Sequence, residues 1–477
     1  MRVDAPWVPV RSPASSSNTA HRVATREARR VSRCTEQGRA FGSGPFSCFS
    51  GRFRLRESPL QPLAFAWRPC LRGIVHSENA VRPDQVPARP EIQALRALAV
   101  GVVVLYHFWP ALSPAGYVGV DVFFVVSGFL ITGILLRDAA QTGRIRFGRF
   151  YGRRVRRILP SALLVLAVTS VVTAIVVPPA EAARWFREIL ASTLFIENWT
   201  QSIESQQGAP GLESTPVQHY WSLSVEEQFY LVWPLVILTG VWIASRFIRP
   251  RMRVVVALLA VVTALSFISS LVLVGIDNNL AYFSTLSRAW EFGIGGLLAC
   301  VPVALGHERL RAATSWVGLA LIVASVYIAT DVDAFPGLLV LMPVLGAAAV
   351  IWAGTPAVAW STGRLIAFGP VLWIGGISYA LYLWHWPVVM LTPYITGRPS
   401  ETPVMLLLLA ISLLLAWGTT RLIEDPIRFG VASHRLRTRT IIVGAAAMGV
   451  AIIGTSAVAA NALSEEAENL ACRSSSP

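Results

Sequence analysis

The sequence predicts an all-α fold, a polytopic transmembrane helical bundle with about ten to eleven spans. Hydrophobic residues make up 54% of the 477 residues and charged residues only 14%, whereas ordinary globular chains carry about 25% charged residues. The mean hydropathy is +0.55. Long apolar runs recur from residue 93 onward, and basic residues gather in alternate loops between them.

A bilayer core of about 30 Å needs about 20 apolar residues in a helix. The runs 284–302 and 314–330 are short and rich in glycine, so they are the weakest members of the predicted set. The predicted spans are residues 96–113, 116–136, 159–178, 221–244, 253–275, 284–302, 314–330, 335–353, 370–393, 403–422 and 440–461.

Arginine placement predicts the orientation of these spans. The loops 137–157, 245–253 and 306–313 and the segment 425–439 are basic, and the loops between them are not. Basic loops stay on the cytoplasmic side of a membrane. We therefore expect a multi-pass protein of the inner or plasma membrane, with a cytoplasmic N-terminus and an extracytoplasmic C-terminus.

The chain divides into three predicted regions. Residues 1–88 are a disordered extension rich in Arg, Ser and Pro, residues 89–435 a transmembrane domain, and residues 436–477 a final span with a short tail. The net charge of +14 comes from arginines between apolar runs, which report topology, so no nucleic-acid partner is predicted. The five cysteines show no metal-ligand spacing, so neither a metal nor a bound cofactor is predicted.

Charged side chains inside a membrane are expensive and usually functional. Arg96 and His107 lie eleven residues apart in the first predicted span. Because eleven residues advance a helix by about 16 Å and nearly three turns, both side chains share one face. An arginine at the cytoplasmic mouth suits a phosphate-bearing donor, and a buried imidazole suits a general base. The alternative is a topology arginine with a histidine bonded to a neighbouring helix.

Ser127 lies inside the second predicted span among Gly119, Gly128 and Gly133. The glycines favour close approach between helices, and Ser127 is either a packing residue or a substrate contact. The flanking residues lack the pattern of a nucleophile elbow, so a covalent serine mechanism is not predicted.

The run RRVRRILP contains Arg153, Arg156 and Arg157, which we predict to share one side of a helix. Such a cluster can bind the phosphates of a nucleotide-like donor through bidentate hydrogen bonds. Anchoring of the loop on the cytoplasmic side is the alternative, and both roles are compatible.

Two further segments place carboxylates in apolar surroundings. Glu226 and Glu227 follow HYWSLSV, and neighbouring residues point to different helix faces, so we expect only Glu226 to meet and support His107. Arg288 and Glu291 are spaced for an intrahelical ion pair, and Arg288 is also a candidate substrate contact. A purely structural role is the alternative for each segment.

The segment ISYALYLWHWPVV surrounds His385 with aromatic residues, Tyr379 among them. An aromatic cavity of this kind could hold an acyl chain or the long arm of a donor. Aromatic residues near the end of a span also form interface belts, which is the alternative.

Taken together, these segments resemble the membrane acyltransferase 3 family, whose better-known members O-acetylate lipopolysaccharide, peptidoglycan and other glycans. The resemblance runs in family order over roughly residues 90–430. It is carried by Arg96 with His107 and by FFVVSGFLITGIL, RFYGRRVRRILP, HYWSLSVEEQFYLVWP, RAWEFGIGGLLA and ISYALYLWHWP.

The resemblance implies an O-acyltransferase that moves an acyl group, commonly acetyl, from acyl-CoA to a sugar hydroxyl of the cell envelope. It implies that His107 is the catalytic histidine with Arg96 as its companion. Arg153 and Arg156 match an Arg-x-x-Arg element that contacts coenzyme A, and Glu226 matches an acidic position in the fourth segment.

One departure concerns the end of the chain, where no serine-esterase motif follows the last predicted span. Members with an eleventh span often carry an outer SGNH-type hydrolase domain there. We expect that this protein acts alone, that a separate extracytoplasmic transferase completes the reaction, or that the chain is truncated. A transporter or flippase for a glycan or lipid intermediate is the competing function, and a non-enzymatic membrane partner is a third.

Overall fold

The computed structural model describes residues 89–142, 145–206, 214–246, 251–301, 307–330, 335–397, 401–429 and 434–474. Across these ranges the secondary structure is helical, without a β-strand. The predicted fold class, an all-α bundle, is confirmed. The prediction of disorder for residues 1–88 lies outside the described residues.

The helices follow one another along the chain with short turns between most of them. They are α1 Pro90–Phe108, α2 Gly119–Thr142, α3 Phe147–Val176, α4 Pro179–Thr193, α5 Glu197–Gln206, α6 Tyr220–Arg246, α7 Arg251–Ile276, α8 Asn278–Phe283, α9 Thr285–Leu298, α10 Glu308–Ile328, α11 Leu341–Ala353, α12 Gly363–Ile366, α13 Gly369–Thr396, α14 Thr402–Thr419, α15 Asp425–Phe429 and α16 His434–Ser474. Short 3-10 turns cover Gly116–Val118 and Leu338–Val340, and a π-helical turn covers Thr420–Glu424.

Within the described ranges, nine helices are long and apolar enough to cross a membrane. They comprise α1, α2, α3, α6, α7, α10, α13, α14 and α16. The two other predicted spans, 284–302 and 335–353, are the helices α9 and α11, of 14 and 13 residues. Such helices cover only about 20 Å at 1.5 Å per residue, less than the thickness of the bilayer core.

The first span is displaced from its predicted position. It occupies Pro90–Phe108 where the sequence predicted 96–113. Proline is favoured in the first turn of a helix, and Pro90 begins this one. The helix ends before Trp109 because the residue preceding a proline, here Pro110, avoids the helical conformation. Arg96 therefore lies in the second turn, not at the helix start.

Although α11 has only 13 residues, it runs antiparallel to α10 and carries the chain back toward the start of that helix. At its C-terminal end, the carbonyl oxygen of Ala353 accepts a hydrogen bond from Nε of Arg311 in the first turn of α10, at 2.9 Å. At the other end of α10, Tyr327 Oη donates to the carbonyl oxygen of Leu112, just after α1, at 3.2 Å. Thus α1 and α10 run in the same direction and α11 runs against them.

Close contact between α2 and α9 depends on glycine. A Cβ atom at Gly128 would lie 1.9 Å from the carbonyl oxygen of Phe292 in α9, so only glycine allows this approach. Gly119 makes a similar approach to α1, where a Cβ would lie 2.3 Å from the carbonyl oxygen of Ala99. These two predicted contacts are confirmed. Gly133 faces open space, and nothing lies within 4 Å of a Cβ placed there.

A buried ionic group also joins α9 to α2. The side chain of Arg288 is 1% exposed, donates to Asp121 of α2, and lies 3.1 Å from the carboxylate of Glu291. The predicted intrahelical pair of Arg288 and Glu291 is therefore confirmed, with Asp121 as a second anion. A guanidinium this deep is tolerated only when it is paired.

We expect Gly128→Ala to destabilise the bundle, because its methyl group would collide with the backbone of Phe292. Overpacking of a filled interior costs about 1–3 kcal/mol, so the thermal midpoint of the protein in detergent should fall by several degrees. Gly133→Ala adds the same atoms to the same helix in open space and should be neutral. Equal midpoints for the two variants would contradict the proposed packing.

Candidate active site

Two cavities lie along α1, α2, α6 and α13. The first chamber, of about 70 Å³, is lined by Arg96, Ser127, Arg154, Arg157, Glu226 and Tyr379 among others. The second chamber, of about 300 Å³, is lined by Tyr106, His107, Gln218, His219, Asn279 and Trp386 among others. The first chamber is therefore strongly cationic, whereas the second is lined by imidazole, amide and aromatic groups.

Arg96 and His107 share a face of α1 but line different chambers. Because eleven residues separate them, His107 lies about 16 Å further along the helix axis than Arg96. Arg96 is therefore at the level of the first chamber and His107 at the level of the second. The two residues therefore act at different depths of the bundle.

Glu226 lies in the first chamber and not against His107. Its Oε1 accepts hydrogen bonds from the hydroxyl groups of Ser127 and Tyr230. The physical reason is depth. Glu226 lies seven residues after His219, which directly precedes α6 and lines the second chamber with His107, and seven residues of helix span about 10 Å. The predicted contact with His107 is not present.

The arginines at the start of α3 differ in burial and in whether they line a chamber. Arg157 lines the first chamber, as expected for a donor-binding residue. Arg154, which the sequence analysis missed, lines it too and is buried. Arg153 is exposed, and neither Arg153 nor Arg156 is among the lining residues. The inward face of α3 is set by Arg154 and Ile158, which are buried one turn apart.

Of two further predicted substrate contacts, Tyr379 lies at a chamber and Arg288 does not. Tyr379 lines the first chamber, and its hydroxyl donates to the carbonyl oxygen of Ile158 at 2.9 Å. Arg288 lines neither chamber, because it is enclosed by its two carboxylate partners. Its position indicates a structural role.

His107 is paired with His385 across α1 and α13. Nδ1 of His107 lies 2.9 Å from Nε2 of His385, and the two rings stack with centroids 5.1 Å apart. His385 is fully buried behind His107. The sequence analysis placed His385 in a substrate cavity, but the structure places it as the hydrogen-bond partner of the predicted base.

The surroundings of His385 determine the tautomer of both rings. Its Nδ1 lies 2.7 Å from the carbonyl oxygen of Tyr382 and 3.2 Å from that of Leu381. Carbonyl oxygens only accept, so in the neutral ring Nδ1 carries the proton and Nε2 is an acceptor. His107 must then donate through Nδ1, which leaves the lone pair on its Nε2. No hydrogen bond to that Nε2 is found within the described ranges.

A third histidine completes the cluster. The ring of His219 lies 5.6 Å from that of His385, and its Nε2 lies 3.2 Å from the carbonyl oxygen of Leu383. Pro387 explains why this carbonyl is free, because proline has no N–H to bond the residue four positions earlier. His219 therefore donates through Nε2. Its buried Nδ1 has no partner in the described part of the chain.

In the described residues, no group of three or more His, Cys, Asp or Glu side chains has an arrangement that would hold a metal ion. The polar groups that line the two chambers are guanidinium, hydroxyl, amide and imidazole groups and the carboxylate of Glu226.

The part of the chain that contains both chambers is similar in sequence to known proteins. A family model described as an acyltransferase domain matches residues 89–421. The chain belongs to this acyltransferase family. With its nine long apolar helices, counted over the described ranges, the acyltransferase is a multi-pass membrane protein.

Curated relatives are similar over the same region. The chain is 32% identical over 356 residues to YrhL of Bacillus subtilis. It is 31% identical over 355 residues to the peptidoglycan O-acetyltransferase OatA of Listeria monocytogenes. It is 29% identical over 353 residues to the O-acetyltransferase OatA of Staphylococcus aureus. Each match covers 71% of this chain but only 55–57% of the relative. No solved structure shows a significant match.

The second chamber of the acyltransferase is covered by residues 214–219, which we call the strap. Nε1 of Trp386, whose ring lies 4.2 Å from that of His107, donates to the carbonyl oxygen of Thr215 at 2.7 Å. The hydroxyl of Thr215 donates in turn to Glu188 of α4. The strap thus connects the histidine cluster to the layer formed by α4 and α5.

Glu188 belongs to a buried carboxylate pair in this layer. Nε2 of Gln201 donates to Glu188 at 3.0 Å and to Glu197 at 2.8 Å. Burial raises the pKa of Glu188 to about 7, against the opposing effects of the hydrogen bond from Thr215 and of nearby Arg184. Burial and then the charge of Glu188 raise the pKa of Glu197 well above its usual range. The folded layer therefore favours protonated carboxyl groups.

We expect the acyltransferase to lose stability as the pH rises from about 4.5 to about 7. Over this window unfolded Glu188 would ionise at its ordinary pKa of 4.5, while in the folded protein it keeps its proton up to about 7. The folded state therefore binds more protons than the unfolded state, which is the condition for stability to fall with rising pH.

The measurement is the thermal midpoint in detergent between about pH 4.5 and about pH 8, the interval over which this linkage acts. Glu188→Gln should weaken the dependence, because glutamine does not titrate. Glu401→Gln alters an exposed carboxylate just before α14 and should leave the dependence unchanged. A midpoint that rises across the window in the unmodified protein would refute the argument.

Proposed function

We propose that this protein is an O-acyltransferase that moves an acyl group, acetyl in the simplest case, from acyl-CoA in the first chamber to a hydroxyl in the second. The observation that carries the proposal is the pairing of a cationic chamber with one that contains the unpartnered Nε2 of His107. The acceptor is a glycan of the cell envelope or, in a relay, a separate extracytoplasmic transferase.

The donor side is argued from charge. Arg96, Arg154 and Arg157 surround the first chamber, with Glu226 as the one carboxylate in its wall. Guanidinium groups bind phosphates in a bidentate manner and remain charged when partly buried. Coenzyme A carries several phosphates, so it fits this excess of positive charge. The basic loops lie at the same end of the spans, which orients the first chamber toward the cytoplasm.

The acceptor side is argued from hydrogen-bonding groups. Gln218 and Asn279 supply amides that both donate and accept, and Trp386 supplies a flat apolar face beside His107. Sugars present hydroxyl groups and apolar faces in close succession, so this lining suits them. Relatives named as O-acetyltransferases, one of them as a peptidoglycan O-acetyltransferase, support a glycan as the acceptor.

The proposed reaction is a direct acyl transfer. Nε2 of His107 removes the proton from the acceptor hydroxyl as its oxygen attacks the thioester carbonyl carbon. The tetrahedral intermediate collapses, the carbon–sulfur bond breaks, and the thiolate of coenzyme A takes the proton back from the imidazolium. The products are an O-acyl ester and free coenzyme A. The hydrogen bond from Nδ1 of His107 to His385 strengthens while the imidazolium exists.

His107→Ala should lower acyl transfer in proteoliposomes by about 10²–10⁴-fold, the usual contribution of a general base. The assay follows radiolabelled acetyl-CoA into an acid-stable product and free thiol in the same sample. His307→Ala, at an exposed histidine that precedes α10, is the matched control and should retain activity. Full activity of His107→Ala would exclude His107 as the general base.

Arg157 lines the first chamber and Arg153 does not, which allows a matched test of donor binding. Arg157→Ala should raise the KM for acetyl-CoA by about tenfold, the equivalent of one charge-assisted hydrogen bond of about 1.5 kcal/mol. Arg153→Ala removes the same group one turn earlier, at an exposed position outside the chamber lining, and should change KM little. A larger increase of KM in Arg153→Ala than in Arg157→Ala would contradict the proposed donor site.

A transporter or flippase would use the same buried charges to line a path without making bonds. It would move its substrate across the proteoliposome membrane without any release of free coenzyme A. Measurement of thiol release in the assay above therefore separates the two functions directly.

A further inference from the structure

Val120 of α2 and Tyr382 of α13 line both chambers, and no other described residue lines both. They are 6% and 9% exposed. They therefore form the wall between the cationic chamber and the histidine chamber. The space between these two side chains, which we call the portal, is where the two chambers adjoin.

The tyrosine side of the portal is held in place. The hydroxyl of Tyr382 donates to the carbonyl oxygen of His219 at 2.9 Å and lies 2.6 Å from Oγ of Ser222. Phe123 packs edge-on against its ring, with the centroids 6.2 Å apart. The ring cannot swing aside without the loss of both polar contacts, so its position sets one edge of the opening.

The valine side of the portal is equally stiff. Val120 is β-branched and lies in the first turn of α2, where such side chains keep one rotamer. Its helix is fixed against α1 by the close approach at Gly119. Two rigid side chains, each on a helix that packs against α1, therefore define the width of the opening.

We propose that Val120 and Tyr382 select the length of the transferred acyl chain, an inference that rests on the proposed transfer between the chambers. The thioester carbonyl must come within about 3–3.5 Å of the attacking oxygen, which brings the acyl group into the portal. A methyl group is the smallest tail that can enter there. A longer tail must fit between Val120 and Tyr382 or remain in the first chamber, which is small at about 70 Å³.

The expected size of this selection follows from the behaviour of enclosed apolar sites. One additional methylene changes kcat/KM by about 10–200-fold when the site cannot expand. The unmodified protein should therefore prefer acetyl-CoA to propionyl-CoA by at least about tenfold and discriminate further against butyryl-CoA. Val120→Ala opens the valine side and should reduce the acetyl-to-propionyl ratio by about fivefold or more, a part of that discrimination.

Val122→Ala is the matched control. Val122 lies two residues further along α2, is fully buried, and lines neither chamber. The variant loses the same two methyl groups from the same helix, so it reproduces any general loosening of the bundle. We expect it to leave the acetyl-to-propionyl ratio unchanged. An unchanged ratio in Val120→Ala, or an equal change in both variants, would overturn the proposal.

A second measurement tests the portal without acyl transfer. In Val120→Cys, a small anionic methanethiosulfonate reagent should label residue 120 from either face of proteoliposomes, as located by mass spectrometry. Val122→Cys should not be labelled from either face. Labelling of Val120→Cys from one face only would refute the shared wall.

The two measurements separate this inference from the proposed function. Labelling from both faces, with no acyl transfer from any acyl-CoA in the unmodified protein, would leave the portal intact and reject the donor chemistry. Acyl transfer with no change of selectivity in Val120→Ala would retain the proposed function and reject the portal as the selecting element.

Discussion

The hydrogen bond between Nδ1 of His385 and the carbonyl oxygen of Tyr382, at 2.7 Å, sets the protonation pattern of the histidine cluster. A backbone carbonyl has no alternative to accepting, so the neutral ring of His385 has one possible tautomer. That tautomer obliges His107 to donate through Nδ1 and to keep the lone pair of Nε2. The orientation of the proposed base is therefore a consequence of the backbone of α13.

The same helix supplies several parts of the site at once. Pro387 releases the carbonyl oxygen of Leu383, which then accepts the hydrogen bond from His219. Trp386 faces His107 and holds the strap, while Tyr382 forms one edge of the portal. These residues lie within six positions of one another, a little over one and a half turns, so small rotations of α13 would disturb all of them together.

Buried charge is handled differently at two places in the bundle. Arg288 is enclosed between Asp121 and Glu291 and has no access to either chamber. Arg96 and Arg157 line a cavity in which Glu226 is the one carboxylate. Because an unpaired guanidinium is costly away from water, the first arrangement serves stability, whereas the second leaves an excess of positive charge in the chamber wall.

The sequence was sufficient for the fold class and for the shared helix face of Arg96 and His107. Arg96 and His107 could be predicted because the spacing within one helix is regular. Glu226 was assigned to the correct span but to the wrong depth, since the vertical register between α1 and α6 depends on tertiary packing. Arg154 was missed because the arginines of one run look alike until packing shows which side of α3 is buried.

Two other differences have visible local causes. The apolar runs at α9 and α11 contain enough hydrophobic residues for spans, but Ser284 caps α9 through the N–H of Leu286 and so fixes its start. The role of His219 escaped notice because its partner is a backbone carbonyl. Pro387 was the available signal, since a proline inside a helix leaves the carbonyl four residues earlier free.

The short helix α9 has a consequence for how the protein is assembled. Its 14 residues include Arg288 and Glu291, and a segment so short and so charged has little tendency to enter lipid by itself. Neighbouring helices cover its charged residues. Asp121 of α2 pairs with Arg288, Gly128 of α2 lets α9 approach closely, and α7 packs against α9 as well. Because α2 and α7 precede α9 in the chain, both partners are already synthesised when this segment enters the bundle.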